Sequence, residues 1–213
     1  MKKLILIATI FFSLTAISKG QTLLLNENFD YPVGSELTNN GWNVTGSNVT
    51  PVVKVTAASI TYNDYLSSGI GNEVTLSNSG QDVNKLFTKQ TSGTIYFSFL
   101  AKVTSATTTG DYFFHTAADP VGSIFHGRVY VKKNASDKLA FGISRGTETA
   151  QYSDFIYDLN TTYLIVMRYT IVSGATNDLA ALYINPPLNS PEPASGWLTN
   201  TLSTTTDLSN VAA

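Results

Sequence analysis

The chain of 213 residues contains no cysteine. This absence excludes disulfide bonds, thiol nucleophiles, cysteine-ligated zinc and iron–sulfur clusters. Charged residues are also scarce, at 13% of the sequence with a formal net charge of −2. That balance gives no electrostatic basis for binding nucleic acid or an anionic membrane surface. Apolar burial and backbone hydrogen bonding must hold such a chain together, and hydrophobic residues reach 43%, enough for a sizeable core.

Long apolar runs are missing everywhere except at the N-terminus. Two lysines there precede an apolar stretch over residues 4–17, and Ser18 and Gly20 supply small residues at the −3 and −1 positions of a cleavage site. This order predicts a secretory signal peptide over residues 1–20. The run is shorter than the ~20 residues that span a bilayer, so the sequence predicts no transmembrane segment. We expect an exported protein, extracellular or at the cell surface.

The longest apolar segments after residue 20 alternate with a period of two. In residues 94–103 alternate positions such as Phe97 and Phe99 share one face, and residues 163–172 behave alike. Shorter candidate strands surround these two at 22–29, 51–56, 73–76, 85–89, 111–115, 128–133, 138–144 and 178–185. No stretch has a sustained helical period. The pattern predicts an all-β fold, a two-sheet antiparallel sandwich of the jelly-roll kind.

The organisation of the C-terminal part leads to two further expectations. The proline-rich residues 186–196 cannot belong to a central strand, so we interpret them as a surface connection within one domain spanning residues 21–213. A new apolar segment begins at residues 206–213, and we interpret the domain as C-terminally truncated, lacking its final strand.

Several motifs together resemble a known family. They are NENFDYPVGSEL (26–37) before Gly41 and Trp42, GDYFFH (110–115), RVYVKK (128–133), FGIS (141–144), LNTTYLIVMRY (159–169) and NDLAALYINP (177–186). The chain resembles secreted bacterial proteins with a concanavalin A-like, or laminin G-like, jelly-roll domain. The resemblance implies further domains in a longer parent protein, because larger Gram-negative relatives often end with a type IX secretion sorting domain. It allows calcium in a loop without assigning metal ligands, and no other cofactor is expected.

No catalytic motif is complete. The five glutamates each lack an aspartate two residues on, so the Glu-x-Asp-x-x-Glu motif of laminarinase-like glucanases is absent; they are Glu27, Glu36, Glu73, Glu148 and Glu192. Jelly-roll polysaccharide lyases use Tyr, His, Arg and Gln instead, and Arg128 and Tyr130 lie near His115 and His126 in the sequence. We therefore predict no catalytic residue. A polysaccharide-active enzyme, a lyase or a glycoside hydrolase, stays an alternative that a shared groove for Arg128, Tyr130 and a histidine would favour.

Aromatic residues make up 11% of the chain. A binding site for a small ligand typically combines apolar and aromatic side chains with a few convergent polar groups, and sugars suit such a surface. The predicted ligand-binding residues are Tyr62, Tyr65, His115, Arg128, Tyr152 and Trp197. We predict a non-catalytic binding or adhesion module for an extracellular glycan. A structural spacer without a ligand is the second alternative.

The polar stretch NENFDYPVGSELTNNGW (26–42) allows two interpretations. Glu27 and Asp30 could be calcium ligands or catalytic acids, or the stretch could be architecture. One such cluster supplies fewer oxygens than the 6–8 that Ca²⁺ takes. We therefore interpret the stretch as the exit of a strand, with Trp42 as a packing anchor.

Overall fold

The structure, a computed structural model, describes residues 21–200 and 204–213. The predicted signal peptide at residues 1–20 lies outside the described residues. Within the described part of the chain, no helix is long and apolar enough to cross a membrane.

The described residues form twelve strands and one short 3-10 helix, Leu37–Asn40. Four short strands come first: β1 (Asn43–Thr45), β2 (Val55–Thr56), β3 (Glu73–Val74) and β4 (Asp82–Asn84). Eight strands follow: β5 (Gly93–Lys102), β6 (Asp111–Thr116), β7 (His126–Lys133), β8 (Leu139–Ser144), β9 (Gln151–Tyr152), β10 (Thr162–Ile171), β11 (Leu179–Ile184) and β12 (Leu198–Asn200). The predicted all-β class is confirmed.

Two antiparallel four-stranded sheets form the body of the molecule. Sheet A has the strand order β12-β11-β10-β5, and sheet B has the order β6-β7-β8-β9. Two small ribbons, β1 with β4 and β2 with β3, complete the pairing. The arrangement is a β-sandwich and is compatible with a jelly roll.

The alternation seen in the sequence places the core between the two sheets. Phe141 and Ile143 of β8 and Ile165 and Met167 of β10 are all fully buried in one cluster. Strand β10 pairs with β5 over ten residues, which fixes the face that each side chain takes. Burial of each such side chain contributes about 1.5–3 kcal/mol relative to exposure.

Two of the predicted strands are wrong. Residues 22–29 form no strand, because Phe29 adopts a positive φ of 52° and its N–H donates to the Glu27 carboxylate instead of a ladder partner. Residues 85–89 also form no strand. The N–H of Phe87 bonds to the carbonyl of Ala212, and Gln90 forms a single bridge with Val211.

The C-terminal apolar segment is packed into the molecule. Val211 and Ala212 are fully buried. The N–H of Ala212 donates to the carbonyl of Ala117, and its carbonyl accepts from the N–H of Phe87. The existence of a further strand and the predicted domain boundaries stay predictions.

The stretch 26–42 packs as architecture. The rings of Phe29 and Trp42 stack with centroids 5.8 Å apart, against a small cluster of buried apolar side chains. The Glu27 carboxylate accepts hydrogen bonds from the Tyr31 hydroxyl at 2.7 Å and the Trp42 indole at 3.3 Å, and it pairs with the Lys85 ammonium at 2.5 Å. Trp42 is therefore the packing anchor that the sequence predicts, whereas the predicted strand exit is wrong, because no strand forms at residues 22–29.

Candidate functional site

The structure places five of the six predicted site residues on two separate surfaces and the sixth in a loop. His115, Arg128 and Tyr152 lie on the outer face of sheet B. Tyr65 and Trp197 lie on the outer face of sheet A. Tyr62 lies in the loop between β2 and β3, where its N–H bonds to the Ser68 hydroxyl. The predicted residues therefore do not form one site.

The outer face of sheet B carries a continuous strip of aromatic and cationic side chains, the aromatic platform. Its members are Tyr112, His115, Phe125, Arg128, Tyr130, Lys132, Tyr152 and Phe155. Tyr130 lies at the centre, with its ring centroid 5.7 Å from that of Tyr112 and 6.2 Å from that of Tyr152. Tyr112 continues the strip to His115 at 6.0 Å, and His115 stacks on Phe125 at 4.0 Å.

A β-bulge in β6 builds one end of the platform. The register between β6 and β7 shifts on both sides of Phe114, so the strict alternation of faces is broken. Phe113 and Phe114 both contact Phe99 on the core side. Tyr112 and His115, three residues apart, consequently share the outer face.

Two glycines make room for the Tyr152 ring at the other end. A Cβ added at Gly142 would lie 2.7 Å from ring carbons of Tyr152, and one added at Gly110 would lie 2.7 Å from its hydroxyl oxygen. The ring therefore reaches from β9 over β8 towards the start of β6. The Lys132 ammonium lies 3.8 Å from the centroid of this ring.

Several polar groups of the platform have no partner within the described residues. Arg128 donates from Nε to the carbonyl of Phe125 at 3.1 Å, and no carboxylate lies within ion-pair distance of Arg128 or Lys132. In the same part of the chain, no hydrogen bond engages the hydroxyls of Tyr112 and Tyr152. The buried Nδ1 of His115 also lacks a partner. The platform thus combines aromatic surface with unused hydrogen-bonding capacity.

The protonation states of the platform favour donation from the tyrosines. Burial raises the pKa of Tyr112, an effect that the positive charge of Arg128 partly offsets, and burial likewise raises the pKa of Tyr152. Both hydroxyls therefore carry their proton at neutral pH. Burial lowers the pKa of His115 to about 4, against the opposing effect of the Thr116 backbone, so its imidazole is neutral.

On the outer face of sheet A, the polar side chains form ion pairs and hydrogen bonds with other groups of the protein. Glu192, from the proline-rich segment, pairs with Arg168 and accepts a hydrogen bond from the Tyr96 hydroxyl at 2.6 Å. The Trp197 indole donates to the carbonyl of Pro193 at 2.9 Å, and its ring lies 4.5 Å from the Arg168 guanidinium carbon. The proline-rich segment therefore covers part of this face.

Sequence analysis missed a buried polar network at one end of the sandwich. Arg145 is fully buried and pairs with Glu148 at 2.8 Å and with Asp207. The spacing of Arg145 and Glu148, three residues apart in SRGTE, was the available signal. Burial opposes ionisation of Glu148, but backbone hydrogen bonds, Thr205 and Arg145 lower its pKa to about 2.

His126 is part of the same buried end. Its side chain is fully buried. The Tyr169 hydroxyl donates to the Asp178 carboxylate at 2.8 Å, so the 2.9 Å contact with His126 requires a proton on Nδ1 of the imidazole. Nε2 of His126 is then an acceptor, and it has no partner. Burial and the charge of Arg145 lower the pKa of His126 to about 4.

Metal ligands do not converge in the described part of the chain. No group of three or more His, Asp or Glu side chains there is arranged to hold an ion. Glu27 has both carboxylate oxygens engaged, by the N–H of Phe29 and by Tyr31, Trp42 and Lys85. Calcium binding stays a prediction of the resemblance, without a ligand set.

Comparisons with protein-family models, curated proteins and solved structures find no match to this chain. The geometry of the platform is therefore the basis for a functional proposal.

Proposed function

We propose that the protein is an exported, non-catalytic glycan-binding module whose site is the aromatic platform on sheet B. One observation carries the proposal: aromatic rings and unpartnered hydrogen-bond donors lie side by side on one face. The donors are the terminal NH2 groups of Arg128, whose Nε alone is engaged within the described residues, the ammonium of Lys132 and the hydroxyls of Tyr112 and Tyr152. On the outer face of sheet A, by contrast, Glu192 pairs with Arg168 and accepts a hydrogen bond from Tyr96, so these polar groups already have protein partners.

The arrangement suits a sugar chain in two ways. Adjacent rings among Tyr112, Tyr130 and Tyr152 are inclined by 68° and 65°, so ring faces and ring edges alternate along the platform. The C–H faces of a sugar can pack on such rings, while its hydroxyl groups accept hydrogen bonds from the nearby donors. Because strands position most of these side chains, little ordering is needed on binding.

A polysaccharide lyase is the second candidate. Arg128, Tyr130 and His115 all contact Tyr112 on one face of sheet B, and this proximity favours the enzyme alternative. A lyase needs a tyrosine or histidine that removes a proton near neutral pH. The raised pKa of Tyr112 disfavours its deprotonated form, and the lowered pKa of His115, about 4, makes its imidazole a weak base. Binding without catalysis is therefore the favoured function.

The proposal predicts that Tyr152→Ala weakens glycan binding roughly tenfold, because truncating an aromatic anchor commonly costs more than 1 kcal/mol. The measurement is a glycan-array screen of the purified chain, with and without calcium, followed by titration of the best ligand. Trp197→Ala is the matched control, an aromatic truncation on sheet A, and it should bind as the parent does. Melting curves of both variants report whether folding is retained.

Each result has a consequence. Equal loss of binding in both variants, or no loss in Tyr152→Ala, would contradict a site on sheet B. A folded chain that binds no glycan would support the structural spacer instead. An increase in ultraviolet absorbance from an unsaturated product, formed with an acidic polysaccharide, would support the lyase.

A further inference from the structure

We propose that the platform recognises an acidic polysaccharide, whose anionic groups pair with Arg128 and Lys132. This inference rests on the proposed function and deepens it, because it specifies the charge of the ligand.

The distribution of ion pairs singles out these two cations. Most lysines and arginines in the described residues have a carboxylate within ion-pair distance, namely Lys85, Lys89, Lys133, Lys138, Arg145 and Arg168. Within the described ranges, Arg128 and Lys132 have none, and neither do Lys54 and Lys102. Arg128 and Lys132 differ from the other two because both belong to one platform and both lie over aromatic rings.

Ring contacts, together with the hydrogen bond from Nε of Arg128 to the Phe125 carbonyl, position both cations without an ion pair to a carboxylate in the described residues. The Arg128 guanidinium carbon lies 5.1 Å from the Tyr112 centroid and 5.9 Å from the Phe125 centroid. The Lys132 ammonium lies over Tyr152 and is 5.5 Å from the Phe155 centroid. A guanidinium so placed keeps N–H groups for a carboxylate or sulfate, which it binds with a two-pronged geometry.

The spacing of the cations fits a polymer better than a single small anion. Arg128 and Lys132 are four residues apart on β7 and share its outer face. Four residues of a strand span about 13 Å. One small anion cannot bridge that distance, whereas successive charged sugars of a chain can reach both cations.

Two carboxylates mark a side of the platform that an anionic chain avoids. Asp111 begins β6 and Asp82 begins β4, and the negative charges of both act on the nearby Tyr112. Within the described residues, neither carboxylate forms an ion pair with Arg128 or Lys132. Burial raises the pKa of Asp82, and the nearby negative charge of Asp111 raises it further. The acidic chain is therefore expected to run along β7, with its charges away from this edge.

The experiment compares binding of the purified chain to three soluble polymers at matched ionic strength. Alginate carries carboxylates, dextran sulfate carries sulfates, and dextran is neutral. We expect binding to one or both acidic polymers at least tenfold tighter than to dextran, weakening as salt rises. Arg128→Gln and Lys132→Gln should each weaken acidic binding about tenfold. Lys54→Gln and Lys102→Gln remove equally unpaired cations elsewhere and should change nothing.

The outcomes separate this inference from the proposed function. Similar affinity for dextran and the acidic polymers would overturn the acidic ligand and leave glycan binding intact. Binding to no polymer and to no arrayed glycan would overturn the proposed function itself. Equal weakening by all four substitutions would show non-specific charge attraction and also overturn the inference. If Arg128→Gln fails to fold, Lys132→Gln decides, because the Lys132 ammonium makes no protein hydrogen bond in the described residues.

Discussion

Trp42 connects separate parts of the N-terminal region through one side chain. Its ring stacks on Phe29, and its indole N–H donates to Glu27, the carboxylate that also binds Lys85. Hydrogen bonds from Lys85 and Tyr31 outweigh the effect of burial and lower the pKa of Glu27, so the charge needed for this cluster is present at neutral pH. The region depends on this group because β1 to β4 are two or three residues long.

We predict that Trp42→Ala lowers the free energy of unfolding by about 2–4 kcal/mol, since large-to-small changes lose both burial and packing. The measurement is the denaturant midpoint of the purified chain, converted with the slope of the transition. Trp42→Phe keeps a stacking ring and loses only the indole donor, so it should cost clearly less. An unchanged midpoint for Trp42→Ala would refute the anchoring role.

Strand β8 provides the space in which one ring of the aromatic platform lies. Gly142 leaves the space that the Tyr152 ring occupies, and the flanking Phe141 and Ile143 face the core. A residue with a side chain at position 142 must displace that ring from the sheet.

We predict that Gly142→Ala weakens glycan binding at least fivefold and lowers the free energy of unfolding by about 1–3 kcal/mol, as overpacking does. The Tyr152→Ala background removes the obstructing ring, so the stability cost of Gly142→Ala should be clearly smaller there. The remaining cost comes from the Gln151 carbonyl, 3.1 Å from the added Cβ. A double-mutant cycle measured by thermal melting gives this coupling directly. Additive effects would mean that the two residues do not share the space.

Individual strands also show how much of the fold could be predicted from the sequence. Strands β5 and β10 were predictable because ten alternating residues leave only one face for each side chain. Residues 22–29 contain three leucines that favoured a strand, but Phe29 has a positive φ and its N–H donates to the Glu27 carboxylate. His115, Arg128 and Tyr152 were predicted as separate candidates. Tyr112 and Lys132 were not, because the bulge in β6 and the ring contacts across strands leave no pattern in the sequence.

At the scale of the whole molecule, a buried polar network that contains His126 connects the two sheets at one end of the sandwich. His126 of β7 forms a hydrogen bond with Tyr169 of β10, and Tyr169 donates to Asp178. Arg145, directly after β8, forms an ion pair with Asp207. Both sheets and the C-terminal segment therefore meet around buried polar groups. Such groups are costly when their charges are unbalanced.

The burial of His126 predicts a loss of stability in mild acid. The pKa of His126 is lowered from 6.5 to about 4 in the folded chain, so the unfolded chain binds this proton first as pH falls. The free energy of unfolding is therefore unaffected by this group above pH 6.5. It falls as the pH drops from about 6.5 to 4, by up to about 3 kcal/mol. Thermal melting from pH 7.5 to 4 measures it.

His126→Asn, which can still donate to Tyr169, is the comparison for that series. It should flatten the pH dependence in this window, leaving the share that His115 contributes through its own lowered pKa. Parallel melting profiles for the parent and the variant would contradict a role for His126.

Strand β5 has a consequence for how the protein behaves in concentrated solution. It is ten residues long and is the last strand of sheet A, paired on one side with β10, and no other strand in the described residues pairs with it. A long edge of free backbone groups is a template on which a second copy can add a strand, the first step of aggregation. The Tyr65 hydroxyl bonds to Ser98, near the middle of β5. We therefore expect the loop that carries Tyr65 to hinder the addition of a second copy at this part of the edge.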